Sequence, residues 1–451
     1  MIPAAELDAY RLHPAVAAYA RHVNPAFVEL LNVLGYGRLY ERARDVWLWD
    51  QAGNRYLDCL AAFGTMNLGH NHPRLIQEAK RFFGSEAPNH FHVGPSPYMA
   101  ELGEQLARRA PGGLEVALFC SSGAEAVEAA MKLAMVASGR RKFVYCEGGY
   151  HGTSLGTLGL MGDARKREAF VPESENIEVP FGDLGALKRA LGRDVAAFVV
   201  EPIQGEGGVR VAPPGYLEEA RALCRRAGAL LVVDEVQTGM GRTGALFASD
   251  TEPDILVLAK ALGGGVASIG VALAGRDLHR RAYGSMQRFD WHSSTFGGNS
   301  FACVAALETL RILDEEKLVA NAAQRGEQLI AGLREKLAGH PFIKDIRGQG
   351  LLVGIEIGPT DEGWLGRAAP GLVSLVSRKL FGHWVSLKLL ERGIVCQPAA
   401  TRWDVLKVEP PLTIQAGEVG SFVDAVGGIF DDYRNLHALL ADAAKRLARL
   451  A

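Results

Sequence analysis

The 451-residue sequence has no excess of either charge and no apolar stretch long enough to cross a bilayer. Its 49 lysines and arginines nearly balance its 51 aspartates and glutamates, so the overall charge favours neither a nucleic acid nor an anionic membrane as a partner. The first residues, MIPAAELDAY, lack the basic and apolar segments of a secretory signal. We therefore expect a cytoplasmic protein that acts on small molecules.

Cysteine is scarce and scattered. The six cysteines include no C-x-x-C pair, and several lie in apolar runs such as VALFC and FVYC. This pattern favours reduced cysteines in a core over a disulfide framework. We expect no metal site.

Short apolar runs alternate with helical patterns between about residues 65 and 320. Runs this apolar are typical of strands buried on both faces, and their alternation with helices predicts an α/β fold with a mainly parallel sheet. The predicted strands are 116–120, 142–146, 195–200, 229–234, 255–259 and 269–275.

The two ends of the chain have a different pattern. Residues 1–64 contain helical patches and VWLWDQAGNRYLD, which predicts a hairpin, and residues 321–451 combine helices with the strands GLLVGIEIG and VLKVEP. These ends predict a smaller α/β domain beside a large domain at 65–320. Residues 359–384, rich in glycine, proline and tryptophan, are expected to be an insertion near a surface or the mouth of a site.

The string GMGRTG after LLVVDEVQT matches the dinucleotide fingerprint G-x-G-x-x-G. That fingerprint requires a glycine directly after a strand, a helix across the last glycine and an acid about 20 residues on. Here DEVQT separates the strand from Gly239, no helical pattern follows Gly244, and the next strand ends in Lys260. The glycines are better interpreted as a surface loop.

Ligands of open α/β sheets bind beyond the carboxyl ends of the strands, so the residues there carry functional information. After the first strand, CSSGAEAVEAAMKLA opens a helix, where unpaired N–H groups favour an anion. Ordinary capping by Ser121 or Ser122 explains the same pattern. In EGGYHG, Tyr150 and His151 follow the next strand, and the tyrosine either covers a planar ligand or is a partly buried loop residue.

Two further strand ends carry charge. Asp234 follows ALLVV and either fixes a positive ring nitrogen or serves as a cap. Lys260 follows ILVLA, where burial would lower the pKa of its amine and favour a Schiff base, unless its head group reaches water. Pyridoxal phosphate needs a site that binds its phosphate, a side chain that covers its ring, an acid beside its ring nitrogen and a lysine that binds its aldehyde. These strand ends together offer all four.

Over nearly its whole length the sequence resembles the class III aminotransferases, which are fold type I pyridoxal-phosphate enzymes. The motifs are, in order, CSSGAEAVEAAMKLA, GGYHG, VVEPIQGEGG, VVDEVQTGMGRTG, LAKALGGG and STFGGNSFAC. Within the family it is most similar to putrescine aminotransferases, through NPAFVEL, EPIQGEGGV and EPPLT. The resemblance implies a large domain with a seven-stranded, mainly parallel sheet, and a small domain built from both termini.

The resemblance also implies roles around the cofactor ring. Lys260 would be catalytic: it would hold the cofactor as a Schiff base and then move the proton at the substrate carbon. Asp234 would pair with the pyridine nitrogen, and Gln237 would approach the ring's 3-oxygen. Tyr150 would stack on the ring, with His151 beside it.

The remaining cofactor contacts concern the phosphate and the substrate side. Gly123 and Ala124 would give backbone N–H groups to the phosphate, with Ser122 nearby. Glu201 would lie near the cofactor on the substrate side. Thr295 would reach the phosphate of the neighbouring subunit, which implies a homodimer with shared active sites, or a tetramer of such dimers.

One departure from the family concerns the substrate carboxylate. Many relatives carry an arginine in the strand before the Pro-Pro, where it holds the carboxylate and pairs with the second glutamate of EPIQGE in its absence. Here VLKVEPPL places Lys407 there, opposite Glu206. Because a lysine cannot form the bidentate fork, we expect an acceptor such as pyruvate or an aldehyde in preference to 2-oxoglutarate.

The sequence thus predicts transfer of a terminal amino group from an amine, a diamine or an ω-amino acid to a keto acid or aldehyde, by a ping-pong mechanism. Phe63, Trp291, Trp364 and Trp384 form either an apolar substrate channel or parts of a core or dimer interface. An aminomutase or decarboxylase on the same scaffold is the alternative. A nicotinamide oxidoreductase is remote, and a non-catalytic scaffold does not explain a buried lysine.

Overall fold

The computed structural model describes residues 10–90, 93–171, 174–358 and 381–433. Its strands are β1 Tyr40–Arg44, β2 Trp47–Asp50, β3 Arg55–Asp58, β4 Val116–Cys120, β5 Lys142–Cys146, β6 Ile177–Val179, β7 Val195–Val200, β8 Ile203–Gln204, β9 Arg210–Val211, β10 Leu230–Asp234, β11 Ile255–Leu258, β12 Gly270–Ala274, β13 Ile343–Gln349, β14 Leu352–Ile357, β15 Ile394–Val395, β16 Gln397–Pro398 and β17 Val405–Val408. Its α-helices are Pro14–His22, Pro25–Leu34, Pro73–Phe83, Pro97–Arg109, Gly123–Ser138, Leu155–Leu158, Ala164–Phe170, Leu184–Ala190, Tyr216–Ala227, Arg276–Tyr283, Ser300–Glu315, Leu318–Lys336, Phe381–Leu390 and Ala416–Asp432.

The central sheet has seven strands in the order β4-β12-β11-β10-β7-β5-β6. Strands β11, β10, β7, β5 and β6 are parallel to their neighbours in this series, whereas β12 runs antiparallel to both β4 and β11. The predicted α/β fold with a mainly parallel seven-stranded sheet is confirmed. β6 is not among the predicted strands, because its three residues form too short an apolar run to stand out.

Two cores on opposite faces of this sheet explain why its strands are so apolar. In β10, Leu231 and Val233 pack into one core and Val232 into the other. The helix Gly123–Ser138 buries alanines, Val127 and Leu133 against the second core. Alternate side chains of each inner strand are therefore buried on opposite faces of the sheet. Each strand has few polar positions except at its ends.

Both ends of the chain contribute to the smaller α/β part of the molecule. The predicted hairpin is formed by β2 and β3, and β15, from much later in the chain, pairs in parallel with β3. A second sheet has the order β13-β14-β17-β16. Of the predicted insertion, residues 359–380, including Trp364, lie outside the described residues. Trp384 lies in the helix Phe381–Leu390 and packs edge-on to Tyr433.

The glycine string GMGRTG is a buried turn, which corrects the expectation of a surface loop. Arg242 within it is fully buried and donates hydrogen bonds to the carbonyl oxygens of Leu351, at 3.0 Å, and Pro410, and to the side chain of Asn67. Left-handed φ values at Met240 and Gly241 let the chain reverse there. The turn, which follows β10 of the central sheet, thus forms hydrogen bonds with segments next to the strands of the second sheet. It is buried because it lies between these two parts of the molecule.

Within the described ranges, no helix is long and apolar enough to cross a membrane. The same residues contain no group of three or more histidine, cysteine or acidic side chains placed to hold a metal ion. All six cysteines fall in the described part of the chain, where they are buried and free.

Candidate active site

A cavity of about 240 Å³ lies at the carboxyl ends of the parallel strands. It brings together residues that follow β4, β5, β7, β10 and β11, although these segments are far apart in the sequence. The residues that line it are Gly123, Ala124, Tyr150, His151, Gly152, Thr153, Glu201, Asp234, Val236, Gln237 and Lys260.

One wall of the cavity is the N-terminus of the helix Gly123–Ser138. Ser122 is the N-cap residue, and its hydroxyl oxygen accepts a hydrogen bond from the backbone N–H of Glu125 at 3.2 Å. Ser122 is not among the lining residues, so the capping explanation holds for its side chain. Gly123 and Ala124 do line the cavity, where the first N–H groups and the positive end of the helix dipole favour an anion.

Asp234 ends β10 and is held in place by a buried histidine. Its Oδ2 lies 2.8 Å from Nδ1 of His151, and its Oδ1 accepts a hydrogen bond from the N–H of Val236 at 3.0 Å. Burial alone would lower the pKa of His151. The hydrogen bond to Asp234 and the charge of that residue outweigh burial, so the pKa of His151 is raised above its ordinary value. The pair therefore places the carboxyl group of Asp234, held by His151, at the cavity.

The neighbouring acid, Glu235, faces the other way. Its carboxylate accepts hydrogen bonds from the N–H groups of Ala248, at 2.6 Å, and Ser249, at 2.8 Å. Burial raises the pKa of Glu235 to about 7. It organises the loop after β10 and takes no part in lining the cavity.

Glu201 follows β7 and fixes the tyrosine loop. Its Oε1 accepts a hydrogen bond from the backbone N–H of Tyr150 at 2.9 Å. Burial raises the pKa of Glu201 to about 7, and the nearby charge of His151 opposes that rise. The side chain of Glu201 thus fixes the backbone at Tyr150, the residue before His151.

Lys260 follows β11 and begins a short 3-10 turn, Lys260–Gly263. Its φ of 44° is left-handed, which costs a non-glycine residue on the order of 1–3 kcal/mol. Burial lowers the pKa of the amine, and the charge of Glu409 partly opposes this shift. A lower pKa leaves more of the amine unprotonated and nucleophilic.

Beside the cavity lies a buried group that we call the Lys407 cluster, consisting of Glu206, Gln237, Lys407 and Glu409. Lys407 Nζ contacts the carboxylate of Glu206 and lies 3.0 Å from Oε2 of Glu409. Gln237 Nε2 donates to Glu206 Oε1 at 3.1 Å and to Glu409 Oε2 at 3.3 Å. The amide nitrogen of Gln237, predicted near a ring oxygen, is directed into this cluster.

Glu409 is not among the predicted site residues, which pair Lys407 with Glu206 alone. The signal was present: in VLKVEPPL, Lys407 and Glu409 are two residues apart, so an extended chain places them on the same face. Charge from Lys407 and Lys260, together with a hydrogen bond from Lys407, outweighs burial and lowers the pKa of Glu206 to about 2. The pKa of Lys407 is raised, because the two carboxylates outweigh its burial.

The other predicted substrate and subunit residues lie at the surface of the chain. Phe63 is 42% exposed and belongs to a left-handed turn, Ala61–Gly64, with its ring centre 5.2 Å from Lys407 Nζ. Trp291 is 59% exposed, and Thr295 is exposed and does not line the cavity of its own chain. Phe63 therefore covers the Lys407 cluster, whereas the other two do not line the cavity.

Comparisons with known proteins agree with this geometry. A family model described as aminotransferase class-III matches residues 33–430. The aminotransferase PigE of a Serratia species is 37% identical over 92% of this chain and 53% of that protein, so the chain spans about half the length of this curated relative. The ornithine aminotransferase of Toxoplasma gondii is 33% identical, with a TM-score of 0.77 over 87% of this chain and 90% of that one. An aminotransferase of Bacillus anthracis is 26% identical, with a TM-score of 0.81 over 96% of this chain and 100% of that one.

Proposed function

The chain belongs to the class III aminotransferases, and on that premise we propose that it moves a terminal amino group from an amine, diamine or ω-amino acid to a keto acid or aldehyde. The family depends on pyridoxal phosphate. The observation that carries the proposal is the cavity in which Lys260 and the Asp234–His151 pair meet a helix N-terminus.

The cavity fits this cofactor in charge and chemistry. The helix N-terminus at Gly123 and Ala124 would receive the phosphate, and Asp234 would keep the ring nitrogen protonated. Tyr150 would cover the ring, and Lys260 would bind its aldehyde carbon. When bound, the cofactor supplies an electron sink for the pair of electrons left on the substrate carbon.

The protein's own contribution is to hold these groups and to move a proton. Lys260 Nζ would take a proton from the donor carbon that carries the amino group and pass it to the cofactor, and in the second half of a ping-pong cycle it would move a proton in the opposite direction, to the acceptor carbon. His151 would hold the carboxyl group of Asp234 in position through the contact between Nδ1 and Oδ2. Glu201 would hold Tyr150 in place through its backbone N–H.

The preferred amino acceptor can be inferred from the surroundings of Lys407. Its ammonium is fully buried and already bound by two carboxylates, and it lacks the two-pronged geometry of an arginine. We expect pyruvate or an aldehyde to be a better acceptor than 2-oxoglutarate. A strong, exclusive preference for 2-oxoglutarate in initial-rate measurements would contradict this.

We further propose that two chains share their active sites. The exposed Thr295 would complete the phosphate site of the partner, as the family resemblance implies. A Thr295→Ala variant is expected to bind pyridoxal phosphate more weakly. Mixing this variant with Lys260→Ala would restore part of the activity if the sites are shared, and would restore none if each chain is self-sufficient.

The visible absorption spectrum tests the function directly. The purified protein is expected to be yellow with bound cofactor, and putrescine, cadaverine, lysine or ornithine, added in turn, should bleach the band. Lys260→Ala, which lacks the amine, is the matched control and should not turn over any donor. A protein that stays colourless after addition of pyridoxal phosphate would contradict the proposal, and a band that none of these amines bleaches would contradict its diamine part.

A further inference from the structure

We infer that Glu409 is a specificity-determining residue that keeps Lys407 occupied, so that the site rejects a distal carboxylate on the substrate and favours a distal ammonium. The inference rests on the proposed aminotransferase function and names the substrate class of that site.

The geometry shows that Lys407 has two carboxylate partners. Glu206 approaches it from the segment after β7, and Glu409 from the same strand end as Lys407 itself, at 3.0 Å. Lys407 and Glu409 are both fully buried, and Glu206 is 5% exposed. Because β17 lies between β14 and β16 in its sheet, the backbone that carries Lys407 is fixed on both sides.

This arrangement differs from a switch based on a single acid. In the family arrangement, the glutamate of EPIQGE leaves its cation when a carboxylate substrate arrives, and the cation becomes free. Here a movement of Glu206 would leave Lys407 still paired with Glu409. The lysine would therefore remain neutralised throughout the reaction.

In the described part of the chain, one hydrogen-bond acceptor of the Lys407 cluster lacks a donor. Two carboxylates share one ammonium and the amide of Gln237, and within the described residues Oε1 of Glu409 has no hydrogen-bond partner. A buried carboxylate oxygen without a donor is unfavourable. The net negative charge of the cluster would attract an ammonium that enters the neighbouring cavity, whereas an incoming carboxylate would be a third negative group beside the same cation.

The chain makes room for this carboxylate at Gly64. A side chain at that position would collide with Oε1 of Glu409, and the φ of 77° at Gly64 also favours glycine. The oxygen therefore lies directly under the turn Ala61–Gly64, whose Phe63 covers Lys407. The turn and the acid lie beside Gln237, which lines the cavity.

Glu409→Gln tests the inference, since it removes the charge and keeps the shape. With the holoenzyme, we expect the ratio of kcat/KM for putrescine to that for butylamine to fall about tenfold, the size of one lost charge contact of ~1.4 kcal/mol. Glutarate, an unreactive dicarboxylate, is expected to bind the variant at least about tenfold more tightly than the wild type, as measured by calorimetry. Glu308→Gln, a buried acid paired with Arg74 at 2.9 Å elsewhere in the fold, is the matched control and should change neither quantity.

Unchanged ratios and unchanged glutarate binding in Glu409→Gln would overturn the inference. Calorimetry on the wild type alone is equally decisive, since tight binding of glutarate by the wild-type holoenzyme would also overturn it. If no amine bleaches the visible band of the wild type, the proposed function itself fails. If amines bleach it and the glutarate and butylamine comparisons show no effect of Glu409, only the present inference fails.

Discussion

Replacing Lys407 with methionine removes the cation that lies between Glu206 and Glu409 while keeping a side chain of similar length. The two carboxylates would then face each other in a site where all three side chains are at most 7% exposed. Removing one partner of a buried ion pair typically costs about 3–5 kcal/mol, because it leaves an uncompensated buried charge. We expect Lys407→Met to be destabilised by this order of magnitude at neutral pH.

The lowered pKa of Glu206, which Lys407 causes in large part, indicates a contribution of the same order. Its ordinary pKa of 4.5 falls to about 2 in the folded chain, although burial alone raises it. A difference of this size corresponds to about 3 kcal/mol, since one pKa unit is worth about 1.4 kcal/mol. Because the folded pKa is depressed, this stabilisation is present above pH 4.5 and is lost as the pH falls towards 2.

Thermal unfolding of the holoenzyme at several pH values would measure the effect. For a chain of 451 residues, ~3 kcal/mol corresponds to a fall in Tm of only about 3 °C, because the unfolding entropy of so large a protein is about 1 kcal/mol per degree. The fall should be largest near pH 7 and should diminish as the pH is lowered below 4.5. Lys142→Met, which breaks an exposed ion pair with Asp194 at 2.9 Å, is the control and should cost less than about 1 kcal/mol. A Tm for Lys407→Met equal to that of the wild type at pH 7, or a deficit independent of pH, would refute the reasoning.

Three other substitutions have distinct expected results. Lys260→Ala should lower kcat by about 10²–10⁴-fold or more, the range for removal of a positioned proton-transfer group. The Tm of the cofactor-free protein should stay nearly unchanged. Turnover near the wild-type rate would exclude the proposed role. Gly123→Ala should weaken binding of pyridoxal phosphate, measured by equilibrium dialysis, because the added methyl group would lie 2.9 Å from a methyl carbon of Val236 at the helix N-terminus; unchanged affinity would contradict this. Arg242→Met should lower the free energy of unfolding by about 2–5 kcal/mol, because buried carbonyl oxygens lose a charged donor; a stability within about 0.5 kcal/mol of the wild type in a denaturation series would contradict the fastening role of the buried turn.

The central sheet could be predicted because its strands lie between two cores and are therefore almost uniformly apolar. β4, β5 and β7 begin and end where the apolar runs do, whereas β6 has three residues and no such run. The division into domains at about residues 64 and 320 stays a prediction. The burial of the turn around Arg242 could not be predicted, since its partners Leu351 and Pro410 come from a distant part of the chain.

The candidate site could be predicted to the extent that it consists of strand ends. A strand end fixes where a side chain begins but not the neighbours it meets, and the two adjacent acids after β10 show the difference. Asp234 meets His151 and the cavity. Glu235 points to the opposite side, as successive residues of an extended chain do, and meets backbone N–H groups and the Thr238 hydroxyl of its own loop. The same alternation groups Lys407 with Glu409, yet nothing in the local sequence indicates that Glu206 and Gln237 complete the cluster. The residues proposed to bind the cofactor come directly after apolar strands and are therefore easy to locate. Those proposed to choose the substrate depend on contacts between distant segments, and in this chain they are where the sequence departs from the family pattern.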